Sequence, residues 1–143
     1  MLWSCPAHIQ LQLDASPLAV RRALDQLLTD TALTALNEDH RGTLWTVLAE
    51  VLNNIVEHAY ARDKGSIRLT LWQKGPVLAV EVVDHGVPMP GLCLPEGHLA
   101  EIGAFDDMPE GGFGWFLIRA MTNDLKYDRV GAENRLRFCL NSD

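Results

Sequence analysis

Hydrophobic and polar positions along this chain follow two periods. Leu44, Val47, Leu48, Val51, Leu52, Ile55 and Val56 recur at the 3.6-residue spacing of a helix with one buried stripe. That spacing predicts one amphipathic helix over Thr43 to Ala61. A second helix is predicted from about Leu18 to Ala35, with Ser16 as its cap and Pro17 in its first turn. Its apolar face is Leu18, Ala19, Ala23, Leu24, Leu27 and Leu28, and Asn37 to Gly42 is a polar break before the next helix. A period of two marks the strands: His8 to Leu13, Ser66 to Trp72, the more continuously apolar Val77 to Val83, then Leu125 to Arg129 and Arg135 to Leu140. Lys74-Gly75-Pro76 is short enough to make the middle pair an antiparallel hairpin, and Val130 to Asn134 turns between the last two strands. A third helix is predicted over Trp115 to Thr122. Helices and strands in this order imply an α+β fold: a two-layer α/β sandwich whose mixed, mostly antiparallel sheet carries its helices on one face.

Neither period holds between Asp84 and Glu110. Prolines at 88, 90, 95 and 109 and glycines at 86, 91, 97 and 103 punctuate this stretch, with a short helical piece expected near Leu99 to Gly103. An irregular segment of this length inside a compact domain is usually functional or disordered.

With 143 residues, 48% hydrophobic and 22% charged, the chain has the size of a single domain with a buried core. The formal net charge of -7 excludes the clustered positive charge of a nucleic-acid footprint, but it leaves a nucleotide site open, since phosphates need only local donors. The three cysteines stand far apart in no zinc-ligand spacing, as expected of reduced thiols. No apolar run reaches membrane-spanning length, so no membrane partner and a cytoplasmic location are expected.

Three features carry candidate chemistry. Glu50, Asn54 and His58 sit four residues apart on one side of the long helix. Asp84-His85-Gly86 stands where an apolar strand ends, and Gly111-Gly112-Phe113-Gly114 opens a helix. Taken singly, each has a plain structural reading: a solvated helix face, a common turn, a glycine cap. Taken together, they supply the parts of a nucleotide site. An Asp at a strand end can accept from an exocyclic amine such as adenine N6, and a glycine beside it admits a flat ring. A glycine-rich helix N-terminus offers N–H groups to phosphate. An Asn carbonyl can ligate Mg²⁺. A Glu one turn away can orient or deprotonate an attacking hydroxyl.

This set, in this order, resembles the GHKL (Bergerat-fold) ATPase superfamily, and within it the anti-sigma factor serine/threonine kinase branch (RsbW/SpoIIAB-like). The resemblance spans nearly the whole chain. Glu50-Val-Leu-Asn-Asn54-Ile-Val-Glu-His58-Ala59 is similar to the N-box of that branch, which implies Glu50 as general base, Asn54 as Mg²⁺ ligand and His58 near the phosphates. Asp84-His85-Gly86 is similar to the first glycine box, implying adenine recognition by Asp84 beside Gly86. Gly111, Gly112, Phe113, Gly114 and Trp115 are similar to the second, implying closure over the phosphates, with the irregular segment as ATP lid. Two departures stand out: Pro88 replaces a glycine of the first box, and Asn134-Arg135-Leu136-Arg137 lacks the Thr often found near the adenine.

The resemblance implies an ATP- and Mg²⁺-dependent protein serine/threonine kinase acting as an anti-sigma regulator. Its partners would be an anti-sigma factor antagonist of STAS type, a sigma factor and a second copy of itself. The alternatives are a non-catalytic module that sequesters a sigma factor or another partner, and a free-standing histidine-kinase ATP domain. Arg119 either reaches a phosphate or caps its helix toward solvent, and Trp45 and Trp72 are expected in the sheet–helix core.

Overall fold

The computed structural model describes residues 9–29, 38–60, 64–95 and 112–141. Five strands form one sheet: β1 (Ile9–Asp14), β2 (Ser66–Lys74), β3 (Val77–Asp84), β4 (Asn123–Val130) and β5 (Glu133–Asn141). Their order is β1-β2-β3-β5-β4, and every pairing among the described residues is antiparallel. The predicted α+β architecture is the observed one. The helices are α1 (Pro17–Leu28), α2 (Glu38–Asn54) and α3 (Gly112–Met121), and α2 packs against both of the others. No described helix is long and apolar enough to cross a membrane.

Register explains how a flat sheet makes a one-sided core. Pairing sets Leu13, Leu11 and Ile9 of β1 opposite Ile67, Leu69 and Leu71 of β2. The same face continues through Val82, Val80 and Leu78 of β3 to Leu136, Phe138 and Leu140 of β5. Leu44, Val47, Leu48, Val51 and Leu52 of α2 close onto it, fully buried. Each such side chain contributes about 1.5–3 kcal/mol by leaving water. Asp84 ends β3 on this same face and is paired in register with Asn134, so two polar residues sit where the apolar stripe would otherwise continue. The opposite face carries the Glu81–Arg137 ion pair at 2.7 Å.

Several element expectations shift. Helix α2 begins at Glu38 rather than Thr43, because Glu38 and Asp39 favour the positive end of a helix dipole and override the loop-like polarity of that stretch. Ser16 caps α1 as expected, its Oγ accepting from the Ala19 N–H at 3.2 Å. The buried face of α1 is Val20, Ala23, Leu24 and Leu27, while Leu18, expected on that face, is 58% exposed. The stripe runs from Val20, and Leu18 points off it. Trp72 is buried, but on the sheet face opposite the helices and outside the sheet–helix core expected for it, and Trp45 is 43% exposed, on the side of α2 away from the Leu44–Leu48 stripe. Strand β4 starts at Asn123, earlier than predicted, with a register shift between Asn123 and Lys126 and a positive φ at Asp124. Helix α3 starts at Gly112, a turn before the predicted Trp115. The expected continuation of α1 to Ala35, the helical piece near Leu99 and Gly111 lie outside the described residues.

Candidate nucleotide site

The polar face of α2 is delivered by a change of helix type. After Asn54 the helix widens into a π turn over Ile55–Ala59, a device found most often at functional sites. Asn54 is buried, at 8% exposure, and its side-chain nitrogen has no hydrogen-bond partner among the described residues. A buried N–H left open costs about 1–3 kcal/mol, so it calls for an acceptor that the described residues do not supply. His58, in the widened turn, reaches the rim of the cavity described below but is otherwise exposed, 3.9 Å from Glu57. The Ala59 carbonyl accepts from Val87 N–H at 3.1 Å, tying the helix end to the turn after β3.

That turn is tightly built. Gly86 N–H donates to Asp84 Oδ1 at 2.9 Å, and the Asn134 amide donates to the same oxygen at 2.8 Å. Oδ2 of Asp84 has no partner among the described residues and belongs to a carboxyl that lines the cavity. Burial pushes the Asp84 carboxyl above the usual range, against the downward pull of Asn134, the Gly86 N–H, Arg129 and His85. A Cβ on Gly86 would lie 2.5 Å from both the Ala59 carbonyl oxygen and its Cβ, so only glycine permits this approach to the helix. Pro88 removes an N–H that a glycine would carry, and the N–H groups on either side of it are both paired. Val87 N–H is used by Ala59, and Met89 N–H donates to the Tyr127 hydroxyl at 3.0 Å. Tyr60 braces the turn from beneath: its hydroxyl accepts from His85 N–H at 2.6 Å and donates to the Ser66 carbonyl at 3.0 Å. Burial raises the Tyr60 phenol above its ordinary value.

A cavity of about 520 Å³ opens between these elements. Val51, Asn54, Ile55 and His58 line it from α2 and the π turn, Asp84, Leu136, Asn134 and Tyr127 from the sheet, Val87 to Pro90 and Pro95 from the irregular segment, and Trp115 from α3. An apolar enclosure with a few convergent polar groups is the usual form of a small-molecule site. The first turn of α3 lies against α2: a Cβ on Gly114 would fall 2.6 Å from Glu50 Oε2 and 3.9 Å from Asn54 Nδ2. The bare glycine thus lets a half-buried Glu50 stand beside the helix N-terminus and one turn from Asn54. Among the described residues no cluster of three His, Cys, Asp or Glu side chains could hold a metal. A cation here would rest on the Asn54 carbonyl oxygen and on the ligand's own oxygens, while the unpartnered Asn54 Nδ2 is a donor suited to an oxygen of that ligand.

This geometry has relatives. The family model "Histidine kinase-like ATPase domain" matches residues 13–140. The chain belongs to that family. A serine/threonine-protein kinase, BtrW of Bordetella bronchiseptica, is 35% identical over 100 residues, covering 67% of each chain. A serine-protein kinase, RsbW of Bacillus mycoides, is 29% identical over 85 residues, 55% of this chain and 51% of the relative. The chain thus matches about half the length of the RsbW relatives. In fold, it is similar to the RsbU and RsbW domains of a Mycobacterium tuberculosis protein, with a TM-score of 0.59, 17% identity, and coverage of 93% of this chain and 32% of that one. It is also similar to a blue-light activated histidine kinase of Erythrobacter litoralis, with a TM-score of 0.59, 18% identity, and coverage of 86% and 39%.

Within this ATPase fold, the structure brings Glu50, Asn54, His58, Asp84, Gly86, Gly114 and Trp115 to one region. The backbone of Gly112 and Phe113 forms the start of α3. Arg119 is exposed in the last turn of α3, in line with the solvent-facing expectation, and its Nε also donates to the Pro95 carbonyl at 2.9 Å, holding one end of the irregular segment to α3. Sequence reasoning missed Tyr60, Tyr127 and Arg129. The signal for the last two was their i, i+2 spacing in a strand next to Asn134, which puts both on the cavity face.

Proposed function

We propose that this protein is an ATP-dependent serine/threonine protein kinase that acts as an anti-sigma regulator by phosphorylating a STAS-type antagonist protein. The observation that carries the reading is Glu50. A half-buried carboxylate beside a helix N-terminus and one turn from an open Asn54 is badly placed for a passive phosphate pocket and well placed for a general base. Asp84 Oδ2 would accept from the adenine amine, with Trp115 lining the pocket and Gly86 setting the turn that holds Asp84. Asn54 would hold Mg²⁺ through its carbonyl oxygen, and the ion's chemistry there is neutralisation of phosphate charge. The N–H groups of Gly112, Phe113, Gly114 and Trp115, with Gly111 just ahead of them, would face the phosphates, and His58 would stand at their rim. Glu50 would orient a serine hydroxyl and take its proton. The serine- and serine/threonine-protein kinase identities of the Bacillus and Bordetella relatives support the substrate class.

The test is Glu50→Gln. It should bind Mg-ATP within about threefold of wild type yet lose phosphotransfer to a cognate antagonist by about 10²–10⁴, the usual worth of a general base. Undiminished transfer would remove Glu50 from that role.

A second reading, capture of a sigma factor without phosphotransfer, draws on Leu18 and Trp45, large apolar side chains exposed at 58% and 43%. Partner capture by a wild type that transfers no phosphate would favour it. We also propose a homodimer in the cytoplasm. Strand β1 pairs only with β2 among the described residues and leaves its outer edge to a second copy. Sedimentation at micromolar concentration should give twice the chain mass, and a monomer there would reject the dimer.

A further inference from the structure

We infer that Asn134 sets the base selectivity of the proposed nucleotide site by occupying one of the two oxygens of Asp84; the inference rests on that nucleotide reading. A free carboxylate does not by itself choose adenine. It can accept one bond from an exocyclic amine, or two parallel bonds from the adjacent N1–H and N2–H donors of guanine, one on each oxygen. Here Oδ1 is already spent, accepting from Gly86 N–H at 2.9 Å and from Asn134 Nδ2 at 2.8 Å. Asp84 is left as a one-oxygen acceptor. That satisfies the single amine edge of adenine and leaves one of guanine's paired donors buried without a partner.

Asn134 can do this only because its own amide is fixed. Its Nδ2 also donates to the Val87 carbonyl at 2.9 Å. Its Oδ1 accepts from the Tyr127 hydroxyl at 2.5 Å and from Arg129 Nη1 at 3.1 Å. Two donors on Oδ1 and three acceptors on Nδ2, the third being the Gly86 carbonyl at 3.4 Å, define which way the amide faces, and a flipped amide would break all five bonds. Arg129 Nη1 also donates to the Gly86 carbonyl at 2.8 Å, and Tyr127 accepts from Met89 N–H, so the same three side chains hold the wall from Gly86 to Met89. This clasp fills the place where the sequence lacks a Thr. Asn134 is therefore a positioning residue that acts through Asp84.

The test compares Mg-ATP and Mg-GTP binding by calorimetry in wild type, Asn134→Ala and Tyr127→Phe. Wild type should prefer ATP by at least 30-fold. Asn134→Ala should weaken ATP and reduce the ATP-to-GTP ratio by at least tenfold, because Oδ1 keeps the Gly86 N–H but loses the Asn134 donor, which opens one of its acceptor positions to a second ligand donor. Tyr127→Phe, a smaller change that keeps the ring, should reduce the ratio about threefold and serves where Asn134→Ala does not fold. A purely structural role would weaken both nucleotides alike, and an unchanged ratio in the folded variants overturns the inference. A wild type that binds ATP and GTP equally overturns it too while leaving the nucleotide site standing. A wild type that binds neither removes both.

Discussion

Asp84 is held against its own charge. Burial lifts its carboxyl above the usual value, and because the folded value exceeds the unfolded one, ionising it works against folding. Its contribution to stability is fully present below the unfolded pKa and declines as pH rises through the raised folded value. Asp84→Asn removes that penalty and keeps an oxygen for Asn134 and Gly86. Thermal unfolding at pH 7 should therefore show a melting temperature equal to or above wild type. Mg-ATP affinity should fall at least tenfold, since a donor would face the adenine amine. Wild-type affinity should itself weaken on acidification at a pH above the ordinary carboxylate range. A variant both less stable and equally tight would show that Asp84 serves the fold. The Asp was legible in the sequence from its place at the end of an apolar strand. Its partners were not, because Tyr127, Arg129 and Asn134 become neighbours only through the β3–β5 and β4–β5 pairings.

Two glycines show how elements meet at the site, and they should respond differently to a methyl group. At Gly114, the atom in the way is the end of a flexible side chain, Glu50 Oε2 at 2.6 Å from the added Cβ. Gly114→Ala should fold with a melting temperature near wild type, helped by alanine's better helix propensity, while Glu50 swings aside and phosphotransfer drops at least tenfold. At Gly86 the obstacle includes the Ala59 carbonyl at 2.5 Å, which is backbone and cannot swing. Gly86→Ala should cost about 1–3 kcal/mol in urea denaturation. Equal effects at the two positions would contradict this account of how α3 and the β3 turn dock on α2. The long helix was legible because its apolar period runs unbroken from Leu44 to Ile55. The π turn was not: a single widened turn leaves no mark in hydrophobic spacing and shows only in the backbone, where Tyr60 N–H donates to the Ile55 carbonyl five residues back.

Across the whole molecule, one sheet face does two jobs. Most of it is an apolar bed for α2, and at the Asp84–Asn134 register it becomes the floor of a cavity. Period-two patterning predicted the five strands and the two-layer class, since half-buried strands alternate. Strand order was beyond it, because the β3–β5 pairing that puts β5 inside the sheet and β4 at its edge joins segments far apart in sequence and leaves no local signal. The site belongs to the histidine kinase-like ATPase family, and the open N–H donor of Asn54 is suited to a phosphate oxygen, which under the proposed function would leave its carbonyl oxygen to the accompanying cation. Calorimetric titration of wild type and Asn54→Ala with ATP, with and without Mg²⁺, tests this. Wild type should bind Mg-ATP with submillimolar affinity and more tightly than ATP alone, and Asn54→Ala should lose most of the Mg²⁺-dependent gain. No heat of binding at millimolar Mg-ATP in the wild type would contradict the account.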